Sequence, residues 1–157
     1  MKTLKVLFVC TGNTCRSPMA EAMLREALAR AGIQGVAVRS AGLCAHPGAP
    51  MSGGAMTELE RRGLPFFRTR AVRLTPEMVQ DAWVLCMAQW QVRQARKFPG
   101  AAQVDTLTHF TGMSGEVDDP YGGGENAYRR AADQIEEGVR RLVSFIQREC
   151  ETHDGSL

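Results

Sequence analysis

Residues 4–18 read L-K-V-L-F-V-C-T-G-N-T-C-R-S-P, and this stretch decides the fold. Residues 4–9 form a short apolar run of the kind found in strands buried on both faces of a parallel sheet. Residues 18–31 carry the apolar stripe of a helix, with Ser17 predicted as its N-cap and Pro18 as its first residue. The sequence therefore predicts a strand, a tight loop and a helix in direct succession.

The loop itself has the composition of a phosphate-binding site. Cys10 and Arg16 have five residues between them, and Gly12 lets the backbone turn tightly so that its N–H groups can surround an anion. The helix N-terminus adds further N–H groups, and Arg16 can bind two phosphate oxygens as a planar fork. A cysteine thiolate at the floor of this loop would be a nucleophile toward phosphorus. The first hypothesis is phosphoryl transfer through a phosphocysteine, although a lone cysteine at a strand end is often a small apolar residue.

The rest of the chain alternates strands with helices. Residues 40–42 are predicted to turn the chain out of the second strand, and residues 108–124 are predicted as a long loop. The remaining segments are strands at 35–39, 82–87 and 103–106, and helices at 55–62, from 75–76 onward, at 89–97 and at 125–150. This order predicts a single-domain α/β protein of three layers, α/β/α, with a four-stranded parallel sheet in a flavodoxin-like arrangement. We expect one domain over residues 1–150 and a C-terminal tail over 151–157.

Composition excludes several classes of protein. The chain has 157 residues, 44% of them hydrophobic, and its net charge of +2 gives no support for a nucleic-acid surface. No stretch approaches membrane-spanning length, and the odd, scattered set of five cysteines does not form a secreted disulfide framework. No metal-ligand spacing is present, so we expect no metal and no cofactor. We also expect the protein to be a cytoplasmic monomer. The arginines at 61, 62, 68, 70 and 73 favour a solvated face over a surface for an acidic partner.

Displacement of a phosphoryl group by a cysteine requires an acid that protonates the departing atom. The best candidates lie in G-E-V-D-D-P-Y-G-G-G, residues 115–124. Asp118 and Asp119 precede Pro120, and Tyr121 can form a wall of a substrate pocket. An ordinary Asp-Pro turn would have the same appearance, so this segment alone is weak evidence.

Together the two segments resemble the low-molecular-weight protein tyrosine phosphatases. The family's loop, C-x-G-N-x-C-R-S-P, is complete from Cys10 to Pro18, and its acid loop stands here as Asp119, Pro120 and Tyr121. The family's S-A-G is also present at residues 40–42. The resemblance spans nearly the whole chain.

That resemblance implies a role for each matching residue. Cys10 would be the nucleophile, Arg16 would bind the phosphoryl group, and Asp119 would be the general acid and then the base that activates water. The phosphorylated side chain of a protein substrate would be bound by the loop and by Tyr121; the loop residues are Thr11, Gly12, Asn13, Thr14, Cys15 and Ser17. Asn13 would hold the loop in shape and the Ser17 hydroxyl would donate to the thiolate, with no metal used. Cys15 either forms a disulfide with Cys10 that protects it from overoxidation or simply fills space.

Two positions depart from the commonest pattern of the family. Phosphotyrosine-directed members often carry a bulky aliphatic residue where this chain has Thr14, and C-T-G-N-T-C-R-S resembles the bacterial protein-arginine phosphatase branch. A β-branched aliphatic side chain would crowd a flat guanidinium, whereas a hydroxyl can form a hydrogen bond to it or to the attacking water. Ala88 stands where many eukaryotic members have an acidic residue. The sequence predicts a phosphoarginine phosphatase, with phosphotyrosine as the alternative substrate.

Other classes that use a similar loop fit less well. An arsenate reductase needs two further redox cysteines close together, whereas Cys86 lies in a predicted strand and the next cysteine is Cys150. A sugar-transport phosphocarrier would need neither Arg16 nor Asp119. A nucleotide-binding P-loop is excluded because no G-K-[ST] follows the glycine.

Overall fold

A computed structural model describes residues 3–64 and 69–155, with side chains given as far as residue 152. Within these residues the chain forms a parallel sheet of four strands, β1 (Leu4–Cys10), β2 (Val36–Gly42), β3 (Ala82–Cys86) and β4 (Gln103–Thr106). Their order in the sheet is β2-β1-β3-β4. The helices are α1 (Arg16–Arg30), α2 (Gly53–Arg61), α3 (Pro76–Val79), α4 (Gln89–Ala95), α5 (Leu107–Phe110) and α6 (Glu125–Gly155).

The helices cover the sheet on both faces, as the sequence predicts. Alternate residues of β1 point to opposite sides, so that Val6 and Phe8 pack under α1 and α6 while Leu7 and Val9 pack toward α3 and α4. The predicted apolar stripe of α6 is confirmed: Ala131, Ala132, Ile135, Val139, Leu142 and Ile146 are buried, and Tyr128 and Val143 are partly buried. The three-layer α/β/α class with four parallel strands is therefore confirmed.

The prediction for the start of α1 is wrong. The helix begins at Arg16 after Cys15, which makes no side-chain cap, and Pro18 is its third residue. Ser17 is fully buried inside the first turn. Its hydroxyl forms hydrogen bonds with Cys10 and Asn13 and not with the N–H groups of the helix.

The predicted end of β2 is also wrong. Ser40, Ala41 and Gly42 continue the strand, and the register places Gly42 beside Cys10. A glycine is required there because a Cβ on Gly42 would lie 2.7 Å from the carbonyl oxygen of Thr11 and 2.9 Å from the backbone nitrogen of Asn13. The close approach brings the Ser40 side chain to the loop of residues 10–17, which we call the phosphate loop.

The remaining differences concern the C-terminal third and the ends of helices and strands. The predicted loop 108–124 contains most of α5, whose N-cap Thr106 accepts a hydrogen bond from the His109 N–H. Helix α6 runs five residues past the predicted end at Cys150, so residues 151–155 are helical; the division into a domain and a tail stays a prediction. Residues 156 and 157 lie outside the described residues. The ends of α2, β3 and α4 differ from prediction by one or two residues.

Within the described ranges, no helix is long and apolar enough to cross a membrane. The same residues contain no group of three or more His, Cys, Asp or Glu side chains that could hold a metal ion.

Candidate active site

The carboxyl ends of β1 and β2 and the N-terminus of α1 meet at one cavity. It has a volume of about 300 Å³. Predicted site residues and two others line it together: Cys10, Thr11, Gly12, Thr14, Cys15, Arg16, His46, Ala49, Asp119 and Tyr121. The structure thus brings the loop of residues 10–17 and the distant segment 119–121 to the same place.

The sulfur of Cys10 lies at the end of β1, buried at the base of the loop. Its Sγ is 2.9 Å from the Ser17 hydroxyl oxygen. The amide of Asn13 donates to that oxygen at 2.8 Å, so the hydroxyl hydrogen of Ser17 is free to point at the sulfur. A thiolate at Cys10 would therefore receive a hydrogen bond from Ser17.

Asn13 ties the loop to two other segments. Its backbone is left-handed, with φ of 55°, a conformation that asparagine tolerates better than most residues. The side-chain amide also donates to Ser40 Oγ at 3.0 Å, and its oxygen accepts from the Val72 N–H at 2.9 Å. Ser40 in turn donates to Glu21 on α1. The loop is thereby held in one shape from three sides.

Arg16 is buried and incompletely paired. Its Nη1 donates to the Val117 carbonyl at 3.1 Å, and its Nη2 lies 3.6 Å from Asp119 Oδ2. Nε is buried and has no partner among the described residues. A buried guanidinium with an unsatisfied donor is costly, and a bound oxyanion at the loop would provide the missing acceptors.

The two candidate acids are placed differently. Asp119 faces the cavity, with its side chain 53% exposed and one oxygen accepting from the Tyr121 N–H. Asp118 does not line the cavity, and its backbone N–H donates to Gln134 on α6. The geometry therefore favours Asp119 over Asp118 as the residue that can reach a bound substrate. Tyr121, 86% exposed, stands at the rim.

Two buried cysteines near Cys10 are unsuited to nucleophilic attack. Burial, followed by the nearby Cys10, raises the pKa of Cys15 to about 11. Burial likewise raises the pKa of Cys86, at the end of β3, to about 12. All five cysteines are free thiols in the structure. The predicted disulfide between Cys10 and Cys15 is not formed here, and its role stays a prediction.

Sequence reasoning missed several residues of the site. His46 and Ala49 line the cavity from a Gly/Pro-rich connection that has no recognisable motif. Gln91 on α4 is fully buried and donates to Thr11 Oγ1 at 3.2 Å. A glutamine at a buried helix position was the available signal, but its partner comes from a segment 80 residues away.

Comparison with known proteins agrees with this arrangement. Residues 5–152 match the family described as low molecular weight phosphotyrosine protein phosphatase. The chain belongs to that family, and it is a protein phosphatase.

Its relatives divide between two substrates. A protein-arginine-phosphatase from Geobacillus stearothermophilus is 38% identical, covering 92% of this chain and 97% of the relative. A probable low molecular weight protein-tyrosine-phosphatase, EpsP, from Ralstonia solanacearum is 37% identical, covering 90% and 95%. A solved cysteine-to-serine variant of the YwlE arginine phosphatase, with its active-site serine phosphorylated, superposes with a TM-score of 0.83 at 33% identity, covering 92% and 96% of the two chains.

Proposed function

We propose that this protein removes the phosphoryl group from phosphoarginine in proteins through a phosphocysteine at Cys10. Overall identity does not decide the substrate, because relatives of both kinds are nearly equally similar. The observation that carries the proposal is the position of Thr14, which lines the cavity with Cys10 and Arg16. A threonine there leaves room and a hydroxyl for a flat guanidinium. The alternative substrate is phosphotyrosine, which the exposed ring of Tyr121 could contact.

The reaction takes two steps. In the first, the Cys10 thiolate attacks phosphorus, the S–P bond forms and the P–N bond breaks, while Asp119 gives its proton to the departing arginine nitrogen. Arg16 and the N–H groups at the start of α1 bind the phosphoryl oxygens as charge develops on them. The phosphorylated serine in the YwlE variant supports a phosphoryl group carried at this position.

The second step returns the enzyme to its starting state. Asp119, now a carboxylate, takes a proton from water, whose oxygen forms a bond to phosphorus. The S–P bond breaks, inorganic phosphate leaves, and Cys10 is again a thiolate held by Ser17. In both steps the proton passes between Asp119 and the substrate or water, and the phosphoryl group is carried by Cys10.

The substrate assignment is tested with peptides of one sequence carrying either phosphoarginine or phosphotyrosine. We expect wild type to prefer phosphoarginine, and Thr14→Ile to lower kcat/KM for it about tenfold or more while affecting phosphotyrosine less. Thr14→Val, which exchanges the hydroxyl for a methyl group, separates crowding from hydrogen bonding. Equal or faster phosphoarginine hydrolysis by Thr14→Ile would overturn the proposal.

The nucleophile has its own test. Cys10→Ser should abolish turnover and retain phosphate binding, because Arg16 and the loop N–H groups are unchanged. Substantial turnover by Cys10→Ser would remove Cys10 from the mechanism. Cys86→Ser, at a buried cysteine outside the cavity, serves as the matched control and should remain active.

The setting of the enzyme completes the proposal: a monomer acting on phosphorylated proteins in the cytoplasm. The cytoplasmic part of this proposal is supported by the five free thiols, a state that reducing compartments maintain. Sedimentation at micromolar concentration tests the monomer, and a second, concentration-dependent species would contradict it.

A further inference from the structure

The arginine-rich segment 61–73 divides into two parts with different environments. Arg61 forms ion pairs with Glu58 at 3.6 Å and Glu125 at 3.3 Å. Arg62 contacts three carboxylates, those of Glu58, Asp133 and Glu136. These two arginines are neutralised within the fold, where they join α2 to α6. Arg68 lies outside the described residues.

Arg70 and Arg73 are different, and we call them together the basic rim. Both side chains are exposed, and neither forms an ion pair with any residue in the described ranges. Arg70 makes one weak contact, from Nη1 to the Gly48 carbonyl at 3.5 Å. The positive charge of the basic rim is therefore not balanced by a carboxylate in the described part of the chain.

The backbone of the basic rim lies close to residues that line the active-site cavity. Arg73 is bridged in parallel to Gly42, which is itself the register partner of Cys10. With neighbouring strands about 4.8 Å apart, the backbone of Arg73 is roughly 10 Å from that of Cys10. Arg70 reaches Gly48, which lies in the chain between the cavity-lining residues His46 and Ala49.

Hydrogen bonds hold the backbone of the basic rim against the phosphate loop and the cavity wall. The Val72 N–H donates to Asn13 Oδ1 at 2.9 Å. The Ala71 N–H donates to the Ala49 carbonyl at 2.8 Å. The two arginines therefore project from backbone that is fixed relative to both the phosphate loop and the cavity wall. A preorganised charge costs less to use in binding than one on a mobile loop.

We propose that the basic rim binds acidic side chains that flank the phosphorylated residue of a protein substrate. This inference deepens the proposed function and rests on it. The exposed carboxylates of Glu116 and Asp118 belong to the segment of the acid loop, so the two segments that border the site carry opposite charges. Such a pair of charged borders favours substrates whose acidic residues lie toward β2. The contribution is a preference of a few-fold, as for other exposed ion pairs.

The test compares kcat/KM for two matched peptides, one with Asp and Glu around the phosphorylated residue and one with Asn and Gln. Both peptides are made with phosphoarginine and with phosphotyrosine. We expect wild type to prefer the acidic peptide by about threefold to tenfold, and Arg70→Glu and Arg73→Glu each to reduce that ratio toward one or below it. Raising the salt concentration should reduce the wild-type ratio in the same direction.

Arg148→Glu is the matched control. It makes the same change of charge on an exposed arginine of α6 that lies 23 residues after Glu125, about 35 Å along the helix. The control should keep the wild-type ratio. A wild-type ratio near one, or an equal loss in Arg148→Glu and in the variants of the basic rim, would overturn the inference.

The failure of the substrate assignment would be seen separately. Turnover of the phosphotyrosine peptides alone would contradict the phosphoarginine proposal, while the acidic-to-neutral ratio within that series would still decide the role of the basic rim. Turnover of neither series would contradict both. Hydrolysis of para-nitrophenyl phosphate, which has no flanking residues, shows whether each variant retains a working site.

Discussion

Gln91 belongs to no sequence motif, but we expect its side chain to contribute strongly to the stability of the fold. Its side chain is fully buried on α4 between the end of β3 and the phosphate loop. Oε1 accepts from the N–H groups of Met87 at 2.9 Å and Ala88 at 3.1 Å, and Nε2 donates to Thr11 Oγ1. The perturbation is Gln91→Met, which keeps the length of the side chain and removes all three hydrogen bonds.

The cost follows from the groups left behind. Two buried backbone N–H groups lose their acceptors, and each unsatisfied donor costs about 1–3 kcal/mol. The free energy of unfolding should therefore fall by roughly 2–6 kcal/mol, a large part of the usual stability of a domain. For a chain of this size each kcal/mol corresponds to about 2–4 °C, so a loss of about 3 kcal/mol lowers Tm by roughly 6–12 °C.

Thermal and urea unfolding measure this loss of stability. A change in kcat/KM would show whether loss of the hydrogen bond from Gln91 to Thr11 also disturbs the loop. Gln80→Met is the matched control. The Gln80 side chain likewise forms two hydrogen bonds to the backbone, which its Nε2 donates to the carbonyls of Pro76 and Pro99, but it is exposed and water can replace these bonds. A loss of stability in Gln91→Met no greater than in Gln80→Met would refute the reasoning.

Three further predictions concern the acid, the strand beside the loop and a buried thiol. Asp119→Ala should lower kcat/KM about 10²- to 10⁴-fold, most for poor leaving groups, and Asp118→Ala much less; the opposite order in a leaving-group series would move the acid to Asp118. Gly42→Ala should weaken phosphate binding and turnover, because its Cβ would lie 2.7 Å from a loop carbonyl, whereas a Cβ on Gly53 meets nothing within 4 Å, so Gly53→Ala is the control. The pKa of Cys15, raised by burial from 9.0 to about 11, means that above pH 9 the unfolded chain releases a proton that the folded chain keeps. The contribution of Cys15 to stability should then fall by about 1.4 kcal/mol per pH unit between pH 9 and 11, and urea titrations should show a correspondingly smaller fall in Cys15→Ala.

Much of the fold and site could be predicted because their signals are local. The apolar run before Cys10, the loop and the stripe of α1 specify strand, loop and helix within one short segment. Parallel strands place their carboxyl ends at one edge, which is why Asp119 could be expected near Cys10 despite its distance in sequence. The structure places Cys10, Thr14, Arg16, Asp119 and Tyr121 around one cavity.

What could not be predicted depends on partners supplied by other segments. The strand β2 continues through Gly42 because a glycine fits closely against Thr11 and Asn13 of the loop. Nothing in the local sequence around Gly42 indicates that these residues are its neighbours. His46 reaches the cavity from a connection whose path is set by pairing with residues 70–71. The opposite environments of Arg61 and Arg70 depend partly on α6, which contributes the Glu125 carboxylate to Arg61 and, within the described residues, no ion pair to Arg70.

The misassigned cap of α1 shows how the site is built at the expense of local stability. Ser17 before Pro18 has the local pattern of an N-cap, and a serine cap is worth about 1 kcal/mol to a helix. In the structure that hydroxyl turns to Cys10, and Cys15 supplies no side-chain cap in its place. The first N–H groups of α1 are thereby left without the side-chain acceptor that helix ends usually have. A phosphoryl group bound above Cys10 would meet those groups, the positive end of the helix dipole and Arg16 Nε, which has no partner among the described residues. Ser17, which sequence rules assign as the cap of α1, instead forms a hydrogen bond with the nucleophile Cys10. The helix loses the stabilisation that a cap would give, and its N-terminal N–H groups remain available to the substrate.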